Sequence, residues 1–109
     1  MDGLFLGPKR TYEDFKKQIP SSVSPLFDSL RNYCISLGNN VVEDVRAHRI
    51  VFGKTLSFRW FADLEPEGDS IIIKIQKDRK EPFQIITLRN GQDLDGLKKS
   101  IVDAYSTMH

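Results

Sequence analysis

Apolar residues recur along this chain with two periods, and the period changes twice. From Ser24 to Gly38 they fall at Leu26, Phe27, Leu30, Tyr33, Cys34 and Leu37, the spacing of one helical face. Ser24 is the expected N-cap, Pro25 sits at the first helical position where its missing N–H costs nothing, and Gly38 stops the helix. A shorter helix is predicted from Thr11, with Glu13 and Asp14 at its positive end and Tyr12, Phe15 and Ile19 as its stripe. Pro20 ends it. The last helix opens at Asp93, its expected N-cap, and runs to about Met108 on Leu94, Leu97, Ile101, Ala104 and Tyr105. Residues 1–10, with Gly3, Gly7 and Pro8, form a loosely held lead-in, and residues 1–109 are expected to form a single domain.

Between Val41 and Leu88 the period is two. It predicts strands near 44–52, 55–64, 70–77 and 83–88. Gly53-Lys54 is the expected two-residue turn of the first hairpin, and EPEGD (65–69) and DRKEP (78–82) are the next two. Links this short imply an antiparallel meander. The expected fold class is α+β: a two-layer sandwich, a four-stranded antiparallel meander packed on two main helices, plus the short N-terminal helix.

The stretch TLSFRWFADL (55–64) sets the expected register. A turn at Gly53-Lys54 places Val51 opposite Leu56, Arg49 opposite Phe58 and Ala47 opposite Trp60. The expected core face is then Val45, Ala47, Val51, Leu56, Phe58, Trp60, Ala62, Ile71, Ile73, Ile75 and Ile85, with Trp60 at its centre. The second face carries Arg46, His48, Ile50, Phe52, Arg59, Phe61, Ile72, Lys74, Gln76, Gln84, Ile86 and Leu88. That mixture is too apolar for a solvated face and too charged for a core, so it is the expected binding surface.

A net charge of +1 gives no global field to attract nucleic acid or membrane. The single cysteine, Cys34, excludes an internal disulfide and fits a cytoplasmic setting. There is no apolar run long enough to span a bilayer, and no leader pattern.

Candidate chemistry is sparse. Between Arg46 and Arg89 there are nine Lys or Arg and six Asp or Glu, interleaved with aromatics. His48, Arg59, Phe61, Lys74, Lys77, Arg79 and Lys80 form the candidate ligand or nucleic-acid surface, with cations for phosphates and a ring for a base. Against it stands the bland alternative that Arg59 and Lys74 lie over apolar neighbours with their charges in water, and that 77–80 is a solvated hairpin tip. Glu65, Glu67 and Asp69 lack the spacing of a calcium loop. Cys34, His48 and His109 are too scattered for a zinc site, so no metal and no cofactor is expected. No nucleophile elbow, phosphate loop or dinucleotide fingerprint occurs, so no catalytic residue is assigned.

SPLFDSLRNYCISLG, VEDVRAHRIVFGKTLSFRWFADLEP, SIIIKIQK and DLDGLKKSIVDAYSTM, in that order, resemble an uncharacterised family of small prokaryotic domains. The marks are the Leu37-Gly38 helix end, the arginine-and-aromatic hairpin, and an Asp-Leu-Asp opening before a helix ending in Ala104-Tyr105. Members of that family occur alone or at the C-terminal end of larger proteins, some resembling restriction-type nucleases. The resemblance implies a compact α/β layer fold and supplies no catalytic residue.

The expected function is a non-enzymatic binding or accessory domain. Its first form is a protein-interaction module or homodimer using Ile50, Phe52, Phe61, Ile72 and Ile86. Its alternative is a nucleic-acid-binding module on the basic and aromatic residues above. A small-ligand pocket or enzyme site near His48, Arg59 and Trp60 is the third.

Overall fold

Thr11 does what its position demands: its hydroxyl accepts the Asp14 N–H at 3.1 Å, and the Asp14 carboxylate accepts the Thr11 N–H in return. The computed structural model describes residues 10–55, 59–77, 80 and 82–107. Their elements are α1 (Tyr12–Lys16), α2 (Ser24–Ser36), β1 (Val41–Val45), β2 (Ile50–Lys54), β3 (Trp60–Glu67), β4 (Ser70–Ile75), β5 (Gln84–Arg89) and α3 (Asp95–Thr107). The fold is α+β, a five-stranded antiparallel sheet in chain order with three helices. The expected 1–10 lead-in lies outside the described residues except for Arg10.

Helix boundaries move little. Val23, not Ser24, is the N-cap of α2, because a turn with Val23 and Ser24 N–H on the Pro20 carbonyl runs straight into the helix. Asp93 accepts the Asp95 N–H at 3.0 Å, but α3 opens one residue later than expected: the Lys98 N–H bonds the Leu94 carbonyl, so Leu94, not Asp93, is the N-cap.

The sheet departs from expectation in two places. The predicted strand 44–52 is two strands, β1 and β2, reversed across Arg46-Ala47-His48-Arg49 with Arg46 N–H bonded to the Arg49 carbonyl. And Gly53-Lys54 is not a turn: β2 runs through Lys54, whose N–H meets the Arg59 carbonyl. A bulge follows, since Gly53 pairs with Trp60 but Phe52 pairs with Ala62. The extra residue, Phe61, breaks the alternation, so Phe61 and Ala62 are both buried in the core.

Downstream the register is regular. Ala62 faces Ile75, Leu64 faces Ile73, and Ile73 faces Ile86. Gly68, at φ 59, lets β3 extend through Glu67 before a tight reversal, so EPEGD contributes more strand than turn.

These pairings decide the core. Ile50, Phe52, Phe61, Ala62, Leu64, Ile71, Ile73, Ile75 and Leu88 join Tyr12, Phe15, Val23, Phe27, Leu30, Cys34, Leu97, Ile101 and Ala104 in one buried cluster. Ala62, Ile71, Ile73 and Ile75 were expected there. Trp60, Val51 and Ile85 were too, and the structure turns them to the opposite face, while Ala47 is exposed in the β1–β2 turn. Val45 lies half-buried against the core. Leu56, Phe58 and Met108 lie outside the described residues.

The candidate functional site on the open sheet face

One face of the sheet packs on helices. The other presents a band of partly exposed apolar side chains: Val42 from β1, Trp60 from β3, Ile72 from β4, Ile85 from β5 and Phe83 just before β5. Phe83 is 41% exposed and Ile85 58%, well above what a core tolerates. Trp60 and Phe83 touch, with ring centroids 6.0 Å apart and planes tilted by 56°. The Lys74 ammonium lies 5.6 Å from the Phe83 ring centre. Beside this pair a shallow cleft of about 200 Å³ runs between Val42 and Asp44, Val51 and Gly53, and Arg59 and Trp60.

Glycine makes the cleft floor. A Cβ on Gly53 would stand 2.5 Å from the Arg59 carbonyl oxygen, so the bulge that aims Trp60 outward needs glycine opposite it.

Charge on this face has both signs. Arg46 bonds Asp44 at 2.9 Å, and Arg49 reaches Asp63 at 3.3 Å. Asp63 is only 6% exposed, and its second carboxylate oxygen has no hydrogen-bond partner. Among the described residues, the face therefore holds one buried acceptor without a hydrogen-bond partner.

The expected site residues separate. Ile50, Phe52 and Phe61 are fully buried in the core, and Ile86 packs half-buried at its margin. Only Ile72 of the five expected interaction residues lies on the open face, so that surface as drawn does not exist. The physical reason for β2 and Phe61 is the 46–49 turn and the bulge, which together invert β2 against the expected alternation; for Ile86 it is the β4–β5 register, which pairs Ile75 with Gln84 and Ile73 with Ile86.

Of the basic set, Arg59 and Lys74 share the open face at its Trp60 end, and Lys77 and Lys80 are exposed nearby, in the segment after β4. His48 is exposed in the β1–β2 turn at the other end of the strands. Arg79 lies outside the described residues. The pocket drawn around His48, Arg59 and Trp60 keeps Arg59 and Trp60 and loses His48.

Sequence reasoning missed Phe83, Val42 and the outward turn of Trp60. The signal was there: Gly53 in a strand interior marks a bulge or a close backbone approach. The turn at Arg46-Ala47-His48-Arg49 had none, lacking glycine, proline and asparagine.

A second charged cluster lies on the helical side. The Tyr12 hydroxyl donates to Asp28 at 2.6 Å, Lys16 reaches the same carboxylate at 2.8 Å, and Arg31 pairs with Glu43 and stacks 4.1 Å from the Tyr12 ring centre. Burial first, then the Asp28 carboxylate, pushes the Tyr12 hydroxyl far above the usual phenol range. Burial alone would raise Asp28, but hydrogen bonds from Lys16 and Tyr12 outweigh it and hold the carboxyl below the usual range. Every oxygen and cation in this cluster has a partner, which makes it a clamp between α1, α2 and β1. Among the described residues no three His, Cys, Asp or Glu converge as a metal site, and no described helix is long and apolar enough to cross a membrane.

Compared with known proteins, the chain matches no family model, no curated protein and no solved structure.

Proposed function

We propose that the protein is a non-enzymatic binding domain that holds a protein partner against the open face of its sheet. The observation that carries this is the partly exposed Trp60–Phe83–Ile85 band on a face that none of the described helices covers. An aromatic centre with a polar rim is the anatomy of a protein interface. The face carries both charge signs, through the exposed Asp44–Arg46 pair and the Arg49 pair with the buried Asp63, which suits a protein surface better than a polyanion.

The test is site-specific photo-cross-linking in extract of the source cells. A photoreactive residue at Trp60, on an inner strand, should give discrete adducts to a protein other than this chain, and Phe83→Ser should abolish them. The same group at Glu13, on α1, should not. No such adduct from Trp60, or equal adducts from Glu13, overturns the reading.

One observation favours a second reading, single-stranded nucleic acid. Lys74, Arg59, Lys77 and Lys80 gather at the end of the face where Trp60 and Phe83 offer rings for stacking. The resemblance to domains that accompany nuclease-like proteins supports it by analogy only. Trp60 is the only tryptophan, so its emission reports directly on this site. Quenching by a short oligonucleotide that weakens with salt and disappears in Lys74→Glu would establish this reading, and unchanged emission would remove it.

A further inference from the structure

The outer edge of β5 carries a hydrogen-bonding pattern that the fold does not use. The Gln76 N–H bonds the Phe61 carbonyl, which fixes the phase of the β3–β4 ladder. Bonded pairs alternate in an antiparallel ladder, so Asp63–Lys74 and Glu65–Ile72 are bonded pairs. Ile71, Ile73 and Ile75 then aim their backbone groups at β5, toward Leu88, Ile86 and Gln84. Ile85, Thr87 and Arg89 are left aiming outward. Arg89 is already satisfied: its N–H donates to Gln92 Oε1 at 2.6 Å and its carbonyl accepts the Gln92 N–H at 3.3 Å. Among the described residues, nothing pairs with the outward donor and acceptor of Ile85 and of Thr87, and β5 is the last strand of the sheet.

Natural sheets blunt such edges with lysine, proline, bulges or charge. β5 reads Gln-Ile-Ile-Thr-Leu-Arg, with no charge or proline before its final residue. The opposite edge, β1, carries Glu43 and Asp44. Two copies of β1 would set carboxylates against each other, and Glu43 is also committed to Arg31.

We infer that β5 pairs antiparallel with β5 of a second copy, about a two-fold axis at Ile86, joining two sheets into one. In this register Ile85 and Thr87 exchange backbone bonds with Thr87 and Ile85 of the other copy, donor for acceptor. Ile86 meets its own copy, and Gln84 lies beside Leu88. No charged side chain faces another. Moving the register by two residues would set Ile85 against Arg89, whose backbone groups Gln92 already occupies. A β1–β5 contact between copies would not close and would propagate as a filament; the β5–β5 contact closes on itself. The pairing uses the backbone edge of β5 and takes in Ile85 at the margin of the open face, but leaves Trp60 and Ile72, which lie on inner strands, uncovered.

The interface is small, so association is expected between about 10 μM and about 1 mM. Sedimentation equilibrium of the full chain should show the mass rising from 12.5 kDa toward twice that value over this range. Thr87→Pro removes an outward donor and no ladder bond, and should stay monomeric while its circular dichroism is unchanged. Ile86→Cys should form a covalent dimer on mild oxidation, because the two Ile86 positions face each other as a non-bonded pair about 4.5 Å apart at Cα. Cys34, fully buried, does not compete. A wild-type chain that stays monomeric throughout overturns the proposal, as does dimerisation undiminished in Thr87→Pro. If Thr87→Pro fails to fold, the cross-link decides: a covalent dimer from Thr87→Cys but not from Ile86→Cys overturns it. Phe83→Ser should leave the dimer intact, which separates this pairing from binding on the open face.

Discussion

Phe61 and Trp60 are neighbours in sequence with opposite fates. Phe61 is fully buried, its ring edge-on to Tyr105 with centroids 5.4 Å apart; Trp60 is half-buried on the open face. Size and hydrophobicity favour tryptophan as the core residue, so a single sequence assigns the pair the wrong way round. Phe61→Ala should cost about 3–5 kcal/mol, the range for emptying a buried aromatic site. Trp60→Ala should cost about 1 kcal/mol, typical of a partly exposed position. Urea unfolding followed by circular dichroism checks both, and a larger loss at Trp60 would reverse the assignment.

At the scale of elements, the helices were legible because their signals are local. The Thr11 capping box, Pro25 in the first turn of α2 and the Asp93 side-chain bond at the start of α3 each lie within a few residues of the boundary they set. Strand β4 was legible as well, since Ile71, Ile73 and Ile75 alternate without interruption; β5 was placed correctly along the chain but with its faces reversed, Ile85 turning out and Leu88 in. β1 and β2 were not. The β1–β2 turn is made from arginine, alanine and histidine, and one extra residue in β3 inverts the faces. Gly53→Ala tests the bulge: a Cβ there meets backbone, not a movable side chain, so destabilisation of about 1–3 kcal/mol is expected. Thermal or urea unfolding of that variant reads the effect, and a neutral result would show that the strands can slide apart cheaply.

For the molecule as a whole, buried titratable groups make stability fall at high pH. Burial pushes the Cys34 thiol up to about 12, from an ordinary value of 9.0. Above about pH 9 the unfolded chain releases this proton while the folded chain keeps it. The unfolded state then binds fewer protons, so stability declines as pH rises from about 9 to about 12. Tyr12, raised for the same first reason, extends the decline in the same direction. At low pH the clamp reverses sign: Asp28 is held below the usual carboxylate range, so stability is lost as pH falls through its lowered value. Urea midpoints measured against pH should therefore form a plateau with losses at both ends. Cys34→Ala should flatten part of the alkaline limb and leave the acid limb alone.

Sequence alone determined the class of this protein: the helical stripes, the run of strands and the caps follow from interactions between residues a few positions apart. It also held the ingredients of the candidate surface, Trp60, Arg59 and Lys74, without their arrangement. Only the tertiary structure decided which side of the sheet each would occupy. A side chain's face depends on the pairing of distant strands, and one inserted residue, Phe61, accommodated against a glycine, turns Trp60 out of the core and onto the open face.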